Sequence, residues 1–220
     1  MPKLAGIFDS FDNLDQIQIE NIARWLKPQP QAIFLENYLA QRILYPQTIP
    51  MTENDLQTDL AILREALRLF SPRDKKANSL LGDNPFLNMT LRKILIPSRF
   101  LNFTADLTAL TWVFVDGLLL DRKKEDFFED LWTVVLTGEI DEVIGSVLLP
   151  QFKNKDSSLQ LTVLDKTYQI RAGTLIVIPC PKSRCQAQFK FKQGRILGKE
   201  ELAVEVYGGK LGLMVDGRQI

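Results

Sequence analysis

The stretch ELAVEVYGGKLGLMVDGR, from Glu201 to Arg218, decides how the C-terminal part of this chain is interpreted. Apolar and polar residues alternate on both sides of Gly208-Gly209, as they do in half-buried strands whose side chains point to opposite faces in turn. A Gly-Gly pair between two such runs is typical of a tight turn, because these turns need positive φ angles that glycine adopts without steric cost. We therefore predict a hairpin here, the last strand pair of a β domain, with Leu211, Leu213 and Val215 facing the core.

Short alternating runs of the same kind fill the chain from about residue 144, separated by Gly and Pro residues. They predict an antiparallel β-sandwich or barrel over residues 151–220. Residues 1–150 instead carry apolar residues at helical spacing, with a strand at 92–96 and another short strand after Gly117. The predicted helices are 13–26, 31–45, 53–70, 104–116 and 124–136. The fold class is thus α+β, with a mainly helical N-terminal part and a C-terminal β domain.

Three local features refine the predicted helices. In the second helix, the residues that recur at helical spacing are Phe34, Leu35, Tyr38, Leu39, Arg42 and Ile43. Thr52 and Asp55 are a variant of the capping box and predict the start of the third helix. Gly117 is interpreted as the stop of the fourth helix.

Composition narrows the classes of function. The chain has 220 residues, a formal net charge of zero and no histidine. Zero net charge argues against a dedicated nucleic-acid or membrane-surface protein. The lack of histidine removes Ser-His-Asp and Cys-His catalysis as usually built, and every zinc site that uses histidine. No apolar run is long enough for a membrane span, and the first residues do not resemble a signal peptide, so we expect a cytoplasmic protein. We predict no catalytic residue and no metal site.

The β domain is the basic part of the chain, with twelve Lys or Arg against six Asp or Glu from residue 150 onward. Its densest part, which is the candidate nucleic-acid surface, comprises Lys182, Arg184, Lys190, Lys192 and Arg195. Phe189 and Phe191 are interleaved with these cations, and bases stack on such rings in single-strand binders. Strand alternation nevertheless puts both rings on one face and the lysines on the other, which favours core phenylalanines and solvated lysines.

Two other groups of side chains have simpler interpretations. The acids Glu125, Asp126, Glu129 and Asp130 are predicted to lie on the solvated side of helix 124–136. Cys180 and Cys185 flank a Pro-Lys-Ser-Arg turn, and a metal ion would need two further ligands that no nearby residue supplies. We interpret them as ordinary buried or turn cysteines.

Two blocks of sequence resemble a known family. ENYLAQRILYPQTIPMTENDLQTDLAILREALRL, from Glu36 to Leu69, and VEVYGGKLGLMVDGR, from Val204 to Arg218, are similar to the later part of MutL/GlmL-type proteins. These proteins have an actin-like ATPase fold, are related to hydantoinase-type ATPases and are encoded beside adenosylcobalamin-dependent glutamate mutase. The resemblance implies that residues 1–150 correspond to the second lobe of an actin-like ATPase and keep a small ribonuclease H-like remnant.

The resemblance also bears on activity. The family's phosphate- and metal-gripping loop belongs to an N-terminal lobe that has no counterpart among these residues. Where the family has a Gly-Gly-type nucleotide loop, this chain has Ile96-Pro97-Ser98-Arg99. Ser98 and Arg99 are therefore the candidate residues of a degenerate nucleotide loop, and without glycine no backbone nest closely approaches a phosphate.

Three hypotheses of function follow. The first is a non-catalytic remnant of an actin-like fold that needs no cofactor and serves as a protein-binding or assembly module. The second is the nucleotide-binding half of a two-chain ATPase or reactivase linked to a cobalamin-dependent mutase, which would use ATP and Mg²⁺. The third is a nucleic-acid binder acting through the basic β domain. We expect a protein partner, and neither nucleic acid nor a membrane.

Overall fold

A computed structural model describes residues 8, 11, 13–70, 87–88, 93–104, 106–119, 130–180 and 184–218. These residues form two compact units. The helical unit comprises the described residues within 1–84 and 97–121, and the β unit those within 85–96 and 122–220. The division therefore differs from the one at residue 150 that the sequence suggests, because the strands between residues 130 and 150 belong to the β unit.

The helical unit contains four α-helices: α1 (Ile19–Ala23), α2 (Ala32–Leu44), α3 (Glu53–Phe70) and α4 (Leu107–Leu119). Two 3-10 helices, Leu14–Gln16 and Ser98–Asn102, complete it. The helix predicted over 13–26 is interrupted, since Ile17 and Gln18 have extended backbone between the first 3-10 helix and α1. The helices predicted over 31–45 and 53–70 are confirmed.

Local hydrogen bonds explain where α3 and α4 begin. The backbone N–H of Thr52 donates to the Asp55 carboxylate at 3.0 Å, and the N–H of Asp55 donates to the Thr52 hydroxyl at 3.1 Å. The predicted capping box is thus confirmed. At the start of α4, the Asp106 carboxylate accepts from the N–H of Ala109 at 3.0 Å. Each cap satisfies an amide that the helix leaves without an intrahelical partner.

Gly117 is not the stop that the sequence suggests, because α4 continues through it to Leu119. A Cβ atom at this position would lie 2.5 Å from the Leu67 Cβ of α3. Gly117 therefore serves the close packing of α4 on α3. The strand predicted after Gly117 is wrong at residues 118 and 119, which are helical, and its remaining residues lie outside the described ones.

The β unit has two main sheets. The strands of the first sheet are β1 (Leu87–Asn88), β2 (Lys93–Pro97), β3 (Leu131–Thr137), β4 (Glu142–Leu148), β8 (Leu175–Ile178) and β12 (Gly212–Asp216). Those of the second are β6 (Ser158–Val163), β7 (Lys166–Arg171), β9 (Arg184–Lys192) and β11 (Glu201–Tyr207). The first sheet has the order β1-β2-β3-β4-β12-β8, and the second has the order β11-β9-β6-β7. A short pair, β5 (Gln151–Phe152) and β10 (Gly194–Arg195), completes the unit.

The two sheets share one hydrophobic core. The first sheet contributes Leu148, Ile178, Leu213 and Val215, and the second contributes Leu159, Leu161, Ala187, Phe189 and Val206. Two sheets on one core form a sandwich, and the described strands close into no barrel. The predicted antiparallel sheet is only partly right, because β12 runs parallel to β4.

The predicted hairpin at Gly208-Gly209 is wrong. β11 pairs with β9 in the second sheet, whereas β12 lies between β4 and β8 in the first. Residues 208–211 thus carry the chain from one sheet to the other. The turn still needs glycine, as expected, since Gly209 has a φ of +103°. Leu211, Leu213 and Val215 are buried as predicted.

The helix predicted over 124–136 is wrong where the structure describes it. Residues 131–137 form β3, which pairs antiparallel with β4. Trp132 and Val134 are fully buried. Apolar residues at 127, 131, 134 and 135 fit helical spacing, but strand pairing with β4 overrides that local pattern.

Candidate functional site

The most distinctive surface of the described residues is an exposed apolar one on α2. Of the eleven large apolar side chains that are exposed in the described part of the chain, seven fall between residues 33 and 51. Their exposure is high, reaching 70% for Leu44 and 87% for Met51. We define the α2 surface as Ile33, Phe34, Ala40, Ile43 and Leu44 on the helix, continued along the chain by Tyr45, Ile49 and Met51.

The geometry of a helix explains why α2 has this surface. Successive residues are rotated by about 100°, so Leu35, Tyr38, Leu39 and Arg42 share one face. All four are buried. The opposite face is centred on Ile33, Asn37, Ala40 and Leu44, which are all exposed. A helix on the outside of a protein normally has polar residues there, and α2 instead has apolar residues at both ends of its outer face.

A buried ion pair fixes which face of α2 points outward. Arg42 donates to the Asp59 carboxylate of α3 through Nε at 2.7 Å and through Nη2 at 2.9 Å. Nη2 also donates to the Tyr38 hydroxyl at 2.6 Å, and Nη1 donates to the Thr48 carbonyl at 3.2 Å. The Tyr38 hydroxyl in turn donates to the Asp55 carbonyl at 3.1 Å. This network ties α2 to α3 and holds the segment that follows α2.

Burial and neighbouring charge shift the pKa values of Asp59 and Arg42 in opposite directions. Burial raises the pKa of the Asp59 carboxyl to about 6, and the hydrogen bonds and charge of Arg42 oppose that rise. Burial also lowers the pKa of Arg42, but its hydrogen bonds with Asp59 and the charge of that carboxylate outweigh this, so the pKa is raised. Burial raises the pKa of the Tyr38 hydroxyl as well. Solvent reaches the side chains of Arg42 and Asp59 very little. The ion pair therefore serves to hold α2 against α3.

A second network joins α3 to the beginning of the chain. The buried Glu65 carboxylate accepts from Arg24 Nη2 at 2.8 Å and from Trp25 Nε1 at 2.6 Å. Arg64 of α3 donates to Asp116 of α4 at 3.0 Å. The buried carboxylates of Glu65 and Asp116 thus each have a cationic partner, as buried charges usually do. Neither network was expected from the sequence, because each depends on residues that are far apart in the chain.

The candidate nucleotide-loop residues, Ser98 and Arg99, lie together in the 3-10 helix that follows β2. Both are half-buried. The Arg99 guanidinium lies 5.5 Å from the centre of the Phe100 ring, which is buried. Their role in nucleotide binding stays a prediction.

The candidate nucleic-acid residues are distributed along β9 and β10. Arg184 lies 3.3 Å from Glu205, and Lys190 lies 3.9 Å from Glu201, both acids being on the neighbouring strand β11. Arg195 donates to the Gln151 side chain at 2.9 Å. Lys192 is exposed, and Lys182 lies outside the described residues. The two acids of β11 thus offset part of the positive charge of the candidate nucleic-acid surface.

The two phenylalanines of β9 are directed as the alternation predicts. Phe189 is buried, and the half-buried Phe191 packs against the same core. The ring of Phe191 lies 5.9 Å from that of Phe152. Neither ring is therefore displayed beside the lysines for a base to stack on.

Of the acidic cluster, the described member is Asp130, which is buried and not solvated. Its carboxylate accepts from Gln151 Nε2 at 3.1 Å and from the Leu197 N–H at 2.7 Å. Asp130 thus holds the β5 and β10 region. Glu125, Asp126 and Glu129 lie outside the described residues.

Cys180 and Cys185 are buried, as expected, and joined as a disulfide, which the sequence interpretation did not include. Within the described ranges, no group of three or more His, Cys, Asp or Glu side chains is placed to hold a metal ion. None of the described helices combines the length with the apolar composition that a membrane crossing requires.

Sequence reasoning missed the α2 surface although a signal was present. It placed Phe34 and Ile43 with the regularly spaced residues of α2, whereas both are exposed. Nine of the thirteen residues of α2 are neither charged nor amide-bearing, which is more than one buried face requires. That excess was the available clue. Comparisons of this chain with protein-family models, with curated proteins and with solved structures find no match.

Proposed function

We propose that this chain is a protein-binding module that contacts its partner through the α2 surface. The observation that carries the proposal is the concentration of exposed apolar side chains on one helix and the segment after it. Clustered exposed apolar residues mark interaction sites, whereas single ones are ordinary. Full burial of a large apolar side chain contributes about 1.5–3 kcal/mol, and the four on α2, which are 42–70% exposed, would each contribute in proportion to the surface that a partner covers.

The shape and charge of the surface indicate the kind of partner. Its α2 part is convex and apolar, and the exposed residues of α2 include one charge, that of Glu36. A partner that presents an apolar helix or groove complements it. A membrane surface does not, because interfacial helices rely on Lys and Arg beside their apolar face, and the one basic residue of α2, Arg42, is buried.

The ancestry of the module is a separate proposal. We propose descent from an actin-like ATPase fold, as in MutL/GlmL-type proteins, on the basis of the two similar sequence blocks. The first block runs from α2 through most of α3, so it includes the residues of the Arg42 network. Protein binding by the α2 surface does not depend on this ancestry.

The test is capture by the purified chain, compared between two variants. Leu44→Glu puts a charge on the α2 surface, where the side chain is 70% exposed. Ile140→Glu is the matched control, because Ile140 is 86% exposed and lies in the β unit. A protein that the parent chain captures is purified and then titrated with each variant. We expect it to bind the parent and Ile140→Glu with equal affinity, and to bind Leu44→Glu at least tenfold more weakly. Equal binding by all three, or no bound protein and no self-association, would refute the proposal.

A further inference from the structure

We infer that the β unit has an interaction surface of its own, at one end of the second sheet, which binds a short acidic segment of a protein partner. This surface, the cationic end, comprises Lys153, Lys155, Arg171 and Lys192, with Ser158 between them. All four cations are exposed. The inference goes beyond the proposed function, because it uses no residue of the α2 surface.

Strand register brings two of these cations to the same hydroxyl. Ser158 of β6 pairs with Arg171 of β7 on one side and with Lys192 of β9 on the other. Residues directly opposite on neighbouring strands share a face, and strands lie about 4.8 Å apart, so the Cα atoms of Arg171 and Lys192 are about 10 Å apart. This face points to solvent, because Leu159 and Ile170, their chain neighbours on the opposite face, belong to the core.

A loop places the other two cations at this end of the sheet. It covers residues 153–157 and leads directly into β6. The backbone N–H of Lys153 donates to the Gln193 carbonyl at 3.1 Å, and the Asn154 side-chain amide donates to the Gln193 side chain at 3.0 Å. The loop is therefore held beside the end of β9. Its one acid is Asp156, so the cationic end has an excess of positive charge.

The charges of Arg171 and Lys192 are not neutralised within the described residues. The two acids of β11 on the same face of the sheet already lie beside other cations, Lys190 and Arg184. Neither Arg171 nor Lys192 has an ion-pair partner in the described part of the chain. An acidic ligand can therefore approach both cations without displacing an internal partner.

Ser158 adds a hydroxyl donor between the two cations. Its oxygen accepts from Gln169 Nε2 at 2.9 Å. A hydroxyl can accept and donate at the same time, so Ser158 can give its own hydrogen to an anion above the sheet. Hydrogen bonds between cations and carboxylates are stronger than neutral ones. A carboxylate above Ser158 thus meets one hydroxyl and is flanked by an ammonium and a guanidinium.

The size of the cationic end favours an acidic peptide over a nucleic acid. Single-stranded nucleic acids bind to grooves that follow the backbone over several nucleotides and to aromatic rings on which bases stack. The distance from Arg171 to Lys192 is instead that of about three extended residues. Phe189 and Phe191 of the same sheet pack against the core. A short run of Asp and Glu residues complements such a patch.

The experiment measures binding of a labelled peptide of about eight glutamates, which is longer than the patch when extended, to the full chain by fluorescence anisotropy. We expect a dissociation constant on the order of 100 μM at about 50 mM salt, and no binding at about 500 mM salt. Arg171→Gln with Lys192→Gln should weaken binding at least about fivefold. Ser158→Ala should weaken it about two- to fivefold. Thermal melts establish that each variant is folded.

The matched control is Lys166→Gln with Arg184→Gln, which removes one lysine and one arginine from the other end of the same sheet. Both residues are exposed, and Lys166 pairs with Val163 at the far end of β6 from Ser158. This control should change the dissociation constant by less than about twofold.

Three results would overturn the inference. Equal weakening by the two double variants would mean that net charge alone attracts the peptide. Binding too weak to detect at about 1 mM peptide would mean that the cationic end holds no acidic segment. Tighter binding of a single-stranded oligonucleotide of about eight nucleotides than of the peptide would assign the surface to nucleic acid instead. Each of these results would leave the proposed function standing, because it depends on the α2 surface.

Discussion

Removing Arg42 should be among the most destabilising single changes in the helical unit. In Arg42→Met, the Asp59 carboxylate loses bonds of 2.7 and 2.9 Å, and the Tyr38 hydroxyl and Thr48 carbonyl lose one donor each. Asp59 is fully buried, so water cannot replace these donors. Breaking a buried pair on one side costs about 3–5 kcal/mol, because it leaves a charge without its partner. We expect that loss in the free energy of unfolding, measured by denaturant melts at about pH 8.

The pH dependence of the variant tests the physical cause. Burial raises the pKa of Asp59 above its ordinary value of 3.8 even with Arg42 present, and Arg42 opposes that rise. Without Arg42, the folded-state pKa should be higher still. A raised acid pKa contributes stability that is fully present below the unfolded pKa and is lost as pH rises through the folded pKa. Arg42→Met should therefore be less destabilised at about pH 5 than at about pH 8.

A double variant and a surface pair complete the test. Arg42→Met with Asp59→Leu removes both charges, and it should recover at least about half of the loss, because the buried charge is gone. Lys210 and Glu142 are also 2.7 Å apart, but their side chains are 59% and 45% exposed. Lys210→Met should therefore cost less than about 1 kcal/mol. A cost for Arg42→Met as small as that of Lys210→Met, or no recovery in the double variant, would refute the reasoning.

Three further predictions concern the β unit, and denaturant melts measure each of them. Gly212 and Gly173 have similar φ angles of +80° and +85°. At Gly212, a Cβ atom would lie 2.6 Å from the carbonyl oxygen of Ile178 in β8, whereas at Gly173 it would meet nothing within 4 Å. Gly212→Ala should thus cost more than about 3 kcal/mol and Gly173→Ala about 1–2 kcal/mol, and equal costs would contradict the role of the clash. Leu213→Ala should cost about 2–5 kcal/mol, since the side chain is fully buried, and a change within about 0.5 kcal/mol would show that the core is misplaced. Ser146→Ala removes the hydroxyl that accepts from the Tyr207 N–H at 2.9 Å and should cost about 1–2 kcal/mol; no measurable loss would mean that this bond between the sheets contributes nothing.

Local sequence patterns were sufficient to predict secondary structure where an element is long or its ends are capped. The apolar spacing of α3 and the reciprocal bonds of Thr52 and Asp55 are properties of neighbouring residues, so the sequence predicts them well. The alternation in β9 likewise predicts that Phe189 is buried and Lys190 exposed. The need for glycine at residue 209 follows from its turn, whichever strands that turn connects.

Tertiary structure decided which elements pair and which faces are covered. The run from Glu201 to Arg218 has two strands and a glycine turn, yet β12 lies between β4 and β8, because strand pairing depends on residues far away in the chain. Residues 131–137 fit helical spacing and form a strand for the same reason.

The outward face of α2 is the clearest case of what the sequence could not settle. Apolar residues occur on both of its faces, so spacing by itself cannot tell which one is buried. The bond from Arg42 to Asp59 selects the face with Leu35 and Leu39, since a buried guanidinium needs its carboxylate and α3 supplies it. The apolar spacing determined that α2 is a helix, and the contact with α3 decided which of its faces stays exposed.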